Sequence, residues 1–144
     1  RADLLDQRFN SLKWINYNFK NNPTQEINLI KSTKEKIIEN KKSKMVITHY
    51  QFFSLIINED LNLPNRWYFP DNTFPASRNS KFYDNYQKFF KKKLIDNNIK
   101  TIFIIMEDPN FWSNIYRDYF NENCVDIINI NKIAIQLNIE KCKI

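Results

Sequence analysis

Lys44-Met45-Val46-Ile47-Thr48-His49-Tyr50 and, half a chain later, Thr101-Ile102-Phe103-Ile104-Ile105-Met106 are the two runs whose reading decides the fold. Both are short, rich in β-branched and aromatic residues, and nearly free of charge. A strand with one wet face alternates apolar and polar residues; these do not, so both read as strands covered on two sides.

Outward from these runs the periodicity becomes helical. Asn22-Pro23-Thr24-Gln25 is a helix start, with asparagine as cap, proline in the first turn and glutamine placed to reach back. Ile27, Ile30, Ile37 and Ile38 then share one face, with Lys31, Lys34, Glu35 and Lys42 largely opposite, which predicts a helix over 24–41. After the first run, 51–58 carries Phe52, Phe53, Leu55, Ile56 and Ile57 and reads as a short helix. Pro64, Pro70 and Pro75 break any period across 59–79, a long irregular loop that carries Arg66-Trp67-Tyr68-Phe69.

Over 80–97, Phe82, Tyr83, Tyr86, Phe89, Phe90 and Leu94 recur at helical spacing, and Asn97-Asn98 is suited to the left-handed cap that glycine usually provides. Asp108-Pro109 opens another helix with Phe111, Trp112, Ile115, Tyr116, Tyr119 and Phe120 as its apolar stripe. A third strand is expected over 125–130. Ile133, Ile135, Leu137 and Ile139 then alternate with polar or small residues, as a half-buried strand does, and close an antiparallel hairpin. Strands alternating with helices point to one α/β domain over 1–144: a three-layer, Rossmann-like sandwich with a mostly parallel sheet and the hairpin at its C-terminal edge. Residues 1–21 give no clear pattern. No internal repeat, low-complexity tract or second domain is visible.

Composition narrows the function classes. The 144 residues include 42% hydrophobic and 15% aromatic side chains, the profile of a folded domain with a core. No apolar run approaches the roughly 18 to 20 residues of a membrane-spanning helix. The chain contains no glycine. Glycine-rich phosphate loops need that residue for positive φ and close backbone approach, so nucleotide binding through G-x-G-x-x-G or the P-loop is excluded and no cofactor is expected. The 22 Lys+Arg against 16 Asp+Glu give +6. Lys, Asn, Ile, Phe and Tyr are all abundant together, the bias of A- and T-rich coding DNA, so the charge is not read as a nucleic-acid footprint. A basic nucleic-acid-binding module remains a third alternative.

His49 is the only histidine, and it stands at the carboxyl end of the first buried run, where open α/β sheets bind ligands. Glu107 and Asp108 end the second run in the same way. If the two strands are neighbours, His49, Glu107 and Asp108 meet at one rim with Thr48 and Tyr50, a candidate acid/base site for a small α/β enzyme. The competing structural role is favoured: a packing histidine, and an Asp-Pro helix cap. A single histidine without partners at ligand spacing does not suggest a metal. Neither Ser54 nor Cys124 sits in a motif that activates a nucleophile.

On the loop, Arg66, Trp67, Tyr68 and Arg78 are candidate binding residues. Aromatic faces stack on rings and guanidinium groups hold phosphate, although large loop aromatics more often tuck under and anchor the loop. Lys91-Lys92-Lys93 reads as a solvated last turn. Cys124 and Cys142 flank the hairpin and are either bridged, in an oxidising compartment, or free buried thiols.

Lys44-Met45-Val46-Ile47-Thr48-His49-Tyr50-Gln51-Phe52-Phe53-Ser54, followed by Leu63-Pro64-Asn65-Arg66-Trp67-Tyr68, resembles a segment in the soluble tails of bacterial multi-pass membrane proteins. Those proteins are similar to integral-membrane glycosyltransferases that use lipid-phosphate sugars. The similarity runs from about residue 20 to about residue 125 and includes the Lys81-Phe82-Tyr83 to Phe89-Phe90 helix. The resemblance implies a non-catalytic, membrane-associated accessory domain on the extracytoplasmic side, assisting packing or acceptor binding. Its partners would be the membrane portion of its own parent chain and a glycan or lipid headgroup. The catalytic acids of such proteins lie in loops of the membrane portion, so none maps onto this chain. A start at Arg1 is what a piece of a longer protein would show. A lysine-rich segment beside a membrane more often stays cytoplasmic, a rule that weakens for whole folded domains.

Overall fold

The computed structural model describes residues 1–14, 22–70, 73–121 and 123–144. After two short 3-10 turns at Ala2–Leu4 and Gln7–Phe9 come α1 (Pro23–Glu39), β1 (Lys44–Thr48), α2 (Phe53–Ile57), α3 (Tyr83–Asp96), β2 (Thr101–Ile105), α4 (Pro109–Arg117), β3 (Asp126–Asn131) and β4 (Ala134–Asn138). The four strands form one mixed sheet in the order β1-β2-β4-β3.

The two decisive runs are neighbours. β1 and β2 pair in parallel, Met45 opposite Ile102 and Thr48 opposite Ile105, and every residue of both strands is buried. Alternate side chains serve opposite faces of the sheet. Met45, Ile47, Ile102 and Ile104 pack against Tyr83, Phe90 and Leu94 of α3, Trp112 and Tyr116 of α4, and Tyr68 and Phe74 of the loop. Val46, Phe103 and Ile105 pack against Ile27, Ile30 and Ile37 of α1 and Phe53 and Ile56 of α2.

The expected mostly parallel, three-layer Rossmann-like sandwich does not form. One strand pair is parallel; β4 is antiparallel to both β2 and β3. The hairpin itself closes antiparallel as expected, since only Lys132-Ile133 joins β3 to β4 and a parallel partner needs a crossover of a dozen or more residues. The difference is in strand order: β3 carries the polar Asp126, Asn129 and Asn131, so the more apolar β4 takes the interior place. β4 then inserts beside β2, and β3, although it runs in the same direction as β1 and β2, is displaced to the border.

The alternation along β4 is kept: Ile133, Ile135, Leu137 and Ile139 are buried while Gln136 and Asn138 are only partly so, and Ala134 alone of the alternate positions is buried as well. β3 is the exposed border, with Ile127 and Ile128 open to solvent. The opposite border is covered: the Val46 amide donates to the Leu61 carbonyl at 2.9 Å, and Asn62 Nδ2 donates to the Lys44 carbonyl at 3.0 Å. Such cover blocks pairing with a foreign strand.

Asparagine does the work of the missing glycine. Asn58, Asn62, Asn98 and Asn123 all hold positive φ, between 47° and 70°, a region asparagine tolerates better than other residues with a Cβ. Asn98 ends α3, as its sequence position suggested. At the start of α1, Asn22 Oδ1 accepts from the Gln25 amide at 2.9 Å, ahead of Pro23. Cys124 and Cys142 are bonded, which decides between the two states their spacing allowed.

Candidate functional site

Because Thr48 lies opposite Ile105, the chain leaves both strands at one rim and places Thr48-His49-Tyr50 next to Met106-Glu107-Asp108. The connection between β3 and β4 returns there as well, with the Met106 amide donating to the Ile133 carbonyl at 2.9 Å. Buried Thr48 shapes the exit from β1. Its Oγ1 accepts from the Tyr50 amide at 2.8 Å, and its carbonyl accepts from Gln51 Nε2 at 2.8 Å. These bonds turn His49 outward, where it is exposed and its ring lies 5.8 Å from Tyr68 and 5.9 Å from Trp112.

Asp108 Oδ1 accepts the Phe111 amide at 3.1 Å and so caps α4. Glu107 is exposed. Among the described residues no hydrogen bond joins His49 to Glu107 or Asp108, and no group of three or more His, Cys, Asp or Glu residues is arranged to hold a metal ion. The rim thus brings the three candidates to one end of the sheet without linking them into a relay.

A fourth carboxylate is at this end, and the pattern of the sequence did not single it out. Glu26, in the first turn of α1, is only 2% exposed. α1 runs back against β1, so its amino end arrives beside the strand's carboxyl end. Glu26 accepts from Trp14 Nε1 at 2.6 Å and from the Tyr50 hydroxyl at 2.8 Å. A buried carboxylate needs such donors, and the positive end of the helix favours its charge. Burial pushes the Tyr50 phenol above its ordinary range, and the carboxylates of Glu26 and, more weakly, Glu107 push it further. The available signal was an acidic residue in a helix's first turn within reach of a tyrosine just past a strand, too common a pairing to stand out.

The loop candidates separate. Tyr68 is buried and packs on Trp112 at 5.6 Å and Phe74 at 6.1 Å. Its flanking residues point outward: Trp67 is 57% and Phe69 59% exposed, and the Arg66 guanidinium lies 6.0 Å from the Trp67 ring centre. Thr73 closes this segment, its Oγ1 accepting from the Phe69 amide at 3.1 Å. Below the loop the Tyr86 hydroxyl donates to Asn65 Oδ1 at 3.0 Å and lies 3.1 Å from the Tyr116 hydroxyl, pinning the loop to α3 and α4. Arg78 is elsewhere. It lines a cleft of about 410 Å³ with Asn114, Arg117 and Asp118 that includes neither Arg66 nor Trp67.

Comparison with protein-family models, with curated proteins and with solved structures found no match to this chain. The fold and the residues just described therefore carry the functional argument. Among the described residues, no helix is long and apolar enough to cross a membrane.

Proposed function

We propose that this chain is a non-catalytic accessory domain on the extracytoplasmic side of a membrane-bound glycosyltransferase-like protein, where it packs against the membrane portion and presents a binding loop to an acceptor or partner. The observation that carries this reading is the Cys124–Cys142 bond. Structural disulfides persist in oxidising compartments outside the cytoplasm and are rare within it.

The loop supports the binding half. Tyr68 is locked in the core while Trp67, Phe69 and Arg66 on either side face solvent. An anchored aromatic pair with a guanidinium beside it is suited to sugar rings and to the phosphate of a lipid headgroup. The rim supports the non-catalytic half, since Asp108 is committed to capping α4 and His49 has no hydrogen bond to either carboxylate.

The test uses the full-length gene product in its own host. A C-terminal reporter enzyme that folds only outside the cytoplasm should be active, and denatured protein from those cells should show no reactive thiol at Cys124 or Cys142. Two free thiols with an inactive reporter overturn the placement. A parent gene without hydrophobic spans overturns the membrane attachment.

A further inference from the structure

We propose that the cleft between Arg78 and the carboxyl end of α4 binds a phosphate ester on a hydroxyl-bearing body, the chemistry shared by a sugar phosphate and a polyol lipid headgroup. This site is separate from the Arg66 to Phe69 surface and asks nothing of the membrane reading.

Arg78 reaches the cleft from the loop and Arg117 from the last turn of α4. Among the described residues neither forms an ion pair, whereas Arg1, Arg8, Lys36 and Lys44 each have a carboxylate partner. Two unpaired guanidinium groups lining one cavity repel each other, and a bound oxyanion that accepts from both removes that cost. Beside Arg78, the Tyr83 hydroxyl is held in a residue only 7% exposed and lies within reach of the guanidinium, whose charge it feels.

Two features oppose a bare anion and refine the ligand. Asp118 puts a carboxylate into the same cleft. The carboxyl end of α4 adds negative partial charge, reduced by the bonds from the Asp118 amide to the Asn114 carbonyl and from the Phe120 amide to the Arg117 carbonyl. Among the described lining residues, two cations stand against one carboxylate. The carboxylate accepts from hydroxyl groups, and the carboxamides of Asn114 and Asn121 can both donate and accept. Half-buried Phe120 supplies an apolar wall. A ligand with phosphate at one end and hydroxyls at the other matches all of these groups, and the volume suits one monosaccharide unit.

The test is an NMR titration of the isotope-labelled chain with glucose 1-phosphate, glucose alone, and vesicles of phosphatidylglycerol. Glucose 1-phosphate should give saturable shifts at the Asn114 and Asn121 side chains. Arg78→Gln and Arg117→Gln should each weaken it about tenfold. Lys91→Gln, which removes a cation outside the cleft, should leave it unchanged. Both arginines are exposed, so an unaltered unfolding midpoint in each variant confirms intact folds. Flotation with vesicles that needs both arginines and is reversed by glucose 1-phosphate assigns a lipid-borne phosphate; binding of glucose 1-phosphate without flotation assigns a soluble one. The proposal is overturned if glucose 1-phosphate gives no saturable shift, if glucose alone binds equally well, or if Lys91→Gln weakens binding as much as the arginine variants.

Discussion

Cys124 and Cys142, separated by 18 positions in the chain, are bonded beyond the open end of the β3–β4 hairpin and turn it into a closed ring. β3 is exposed along most of its length and has a strand on only one side, so burial contributes little to holding it. Replacing both cysteines by serine should cost about 3 kcal/mol through the entropy returned to the unfolded chain. The urea midpoint measures the loss, and amide exchange should show β3 losing protection before β1 and β2. An unchanged midpoint would mean that the ring constrains nothing in the unfolded ensemble.

Alkali should unfold the protein. Burial raises the phenol pKa of Tyr50, Tyr68, Tyr83, Tyr86, Tyr116 and Tyr119. A folded-state pKa above the unfolded value of about 10 means that the native state holds its protons longer, so this contribution is fully present below about pH 10 and is lost as pH rises. Ultraviolet titration of the phenolates should show these groups ionising together with the loss of secondary structure. Smooth ionisation near the ordinary tyrosine value in a chain that stays folded would contradict it.

Tyr50→Phe keeps the ring and removes one of the donors to buried Glu26. A hydrogen bond to a charged group contributes about 1.5–3 kcal/mol, and the variant should lose an amount in that range. Chemical denaturation gives the value. Restoring stability by the second change Glu26→Gln would show that the penalty comes from the carboxylate's charge.

Asp108→Ala removes the acceptor of the Phe111 amide at the start of α4. The expected cost is about 1 kcal/mol, and Asp108→Asn should retain most of the stability because asparagine caps equally well. Equal losses in the two variants would point to the charge of Asp108 instead of its geometry.

How far the residues alone reach is visible at particular places. The parallel, buried pairing of 44–48 with 101–105 was legible because a strand covered on both faces has no reason to alternate. The caps at Asn22 and Asp108 and the left-handed turn at Asn98 were legible because they depend on a few adjacent atoms. The insertion of β4 between β2 and β3 was not: alternation at Ile133, Ile135 and Leu137 reports which side chains are buried, and it carries no label for the neighbouring strand.

The candidate site divides in the same way. Its rim followed from strand ends, a local property. The burial of Glu26, the separation of Arg78 from Arg66 and its meeting with Arg117 depend on contacts between segments far apart in the chain. By itself the sequence determined the secondary elements, the absence of glycine-dependent phosphate loops and the neighbourhood of His49 and Glu107. The tertiary structure alone decided strand order, the cysteine pairing and which charges share a cleft, because those depend on how distant surfaces pack, and residue spacing records only what happens within a few turns of its own backbone.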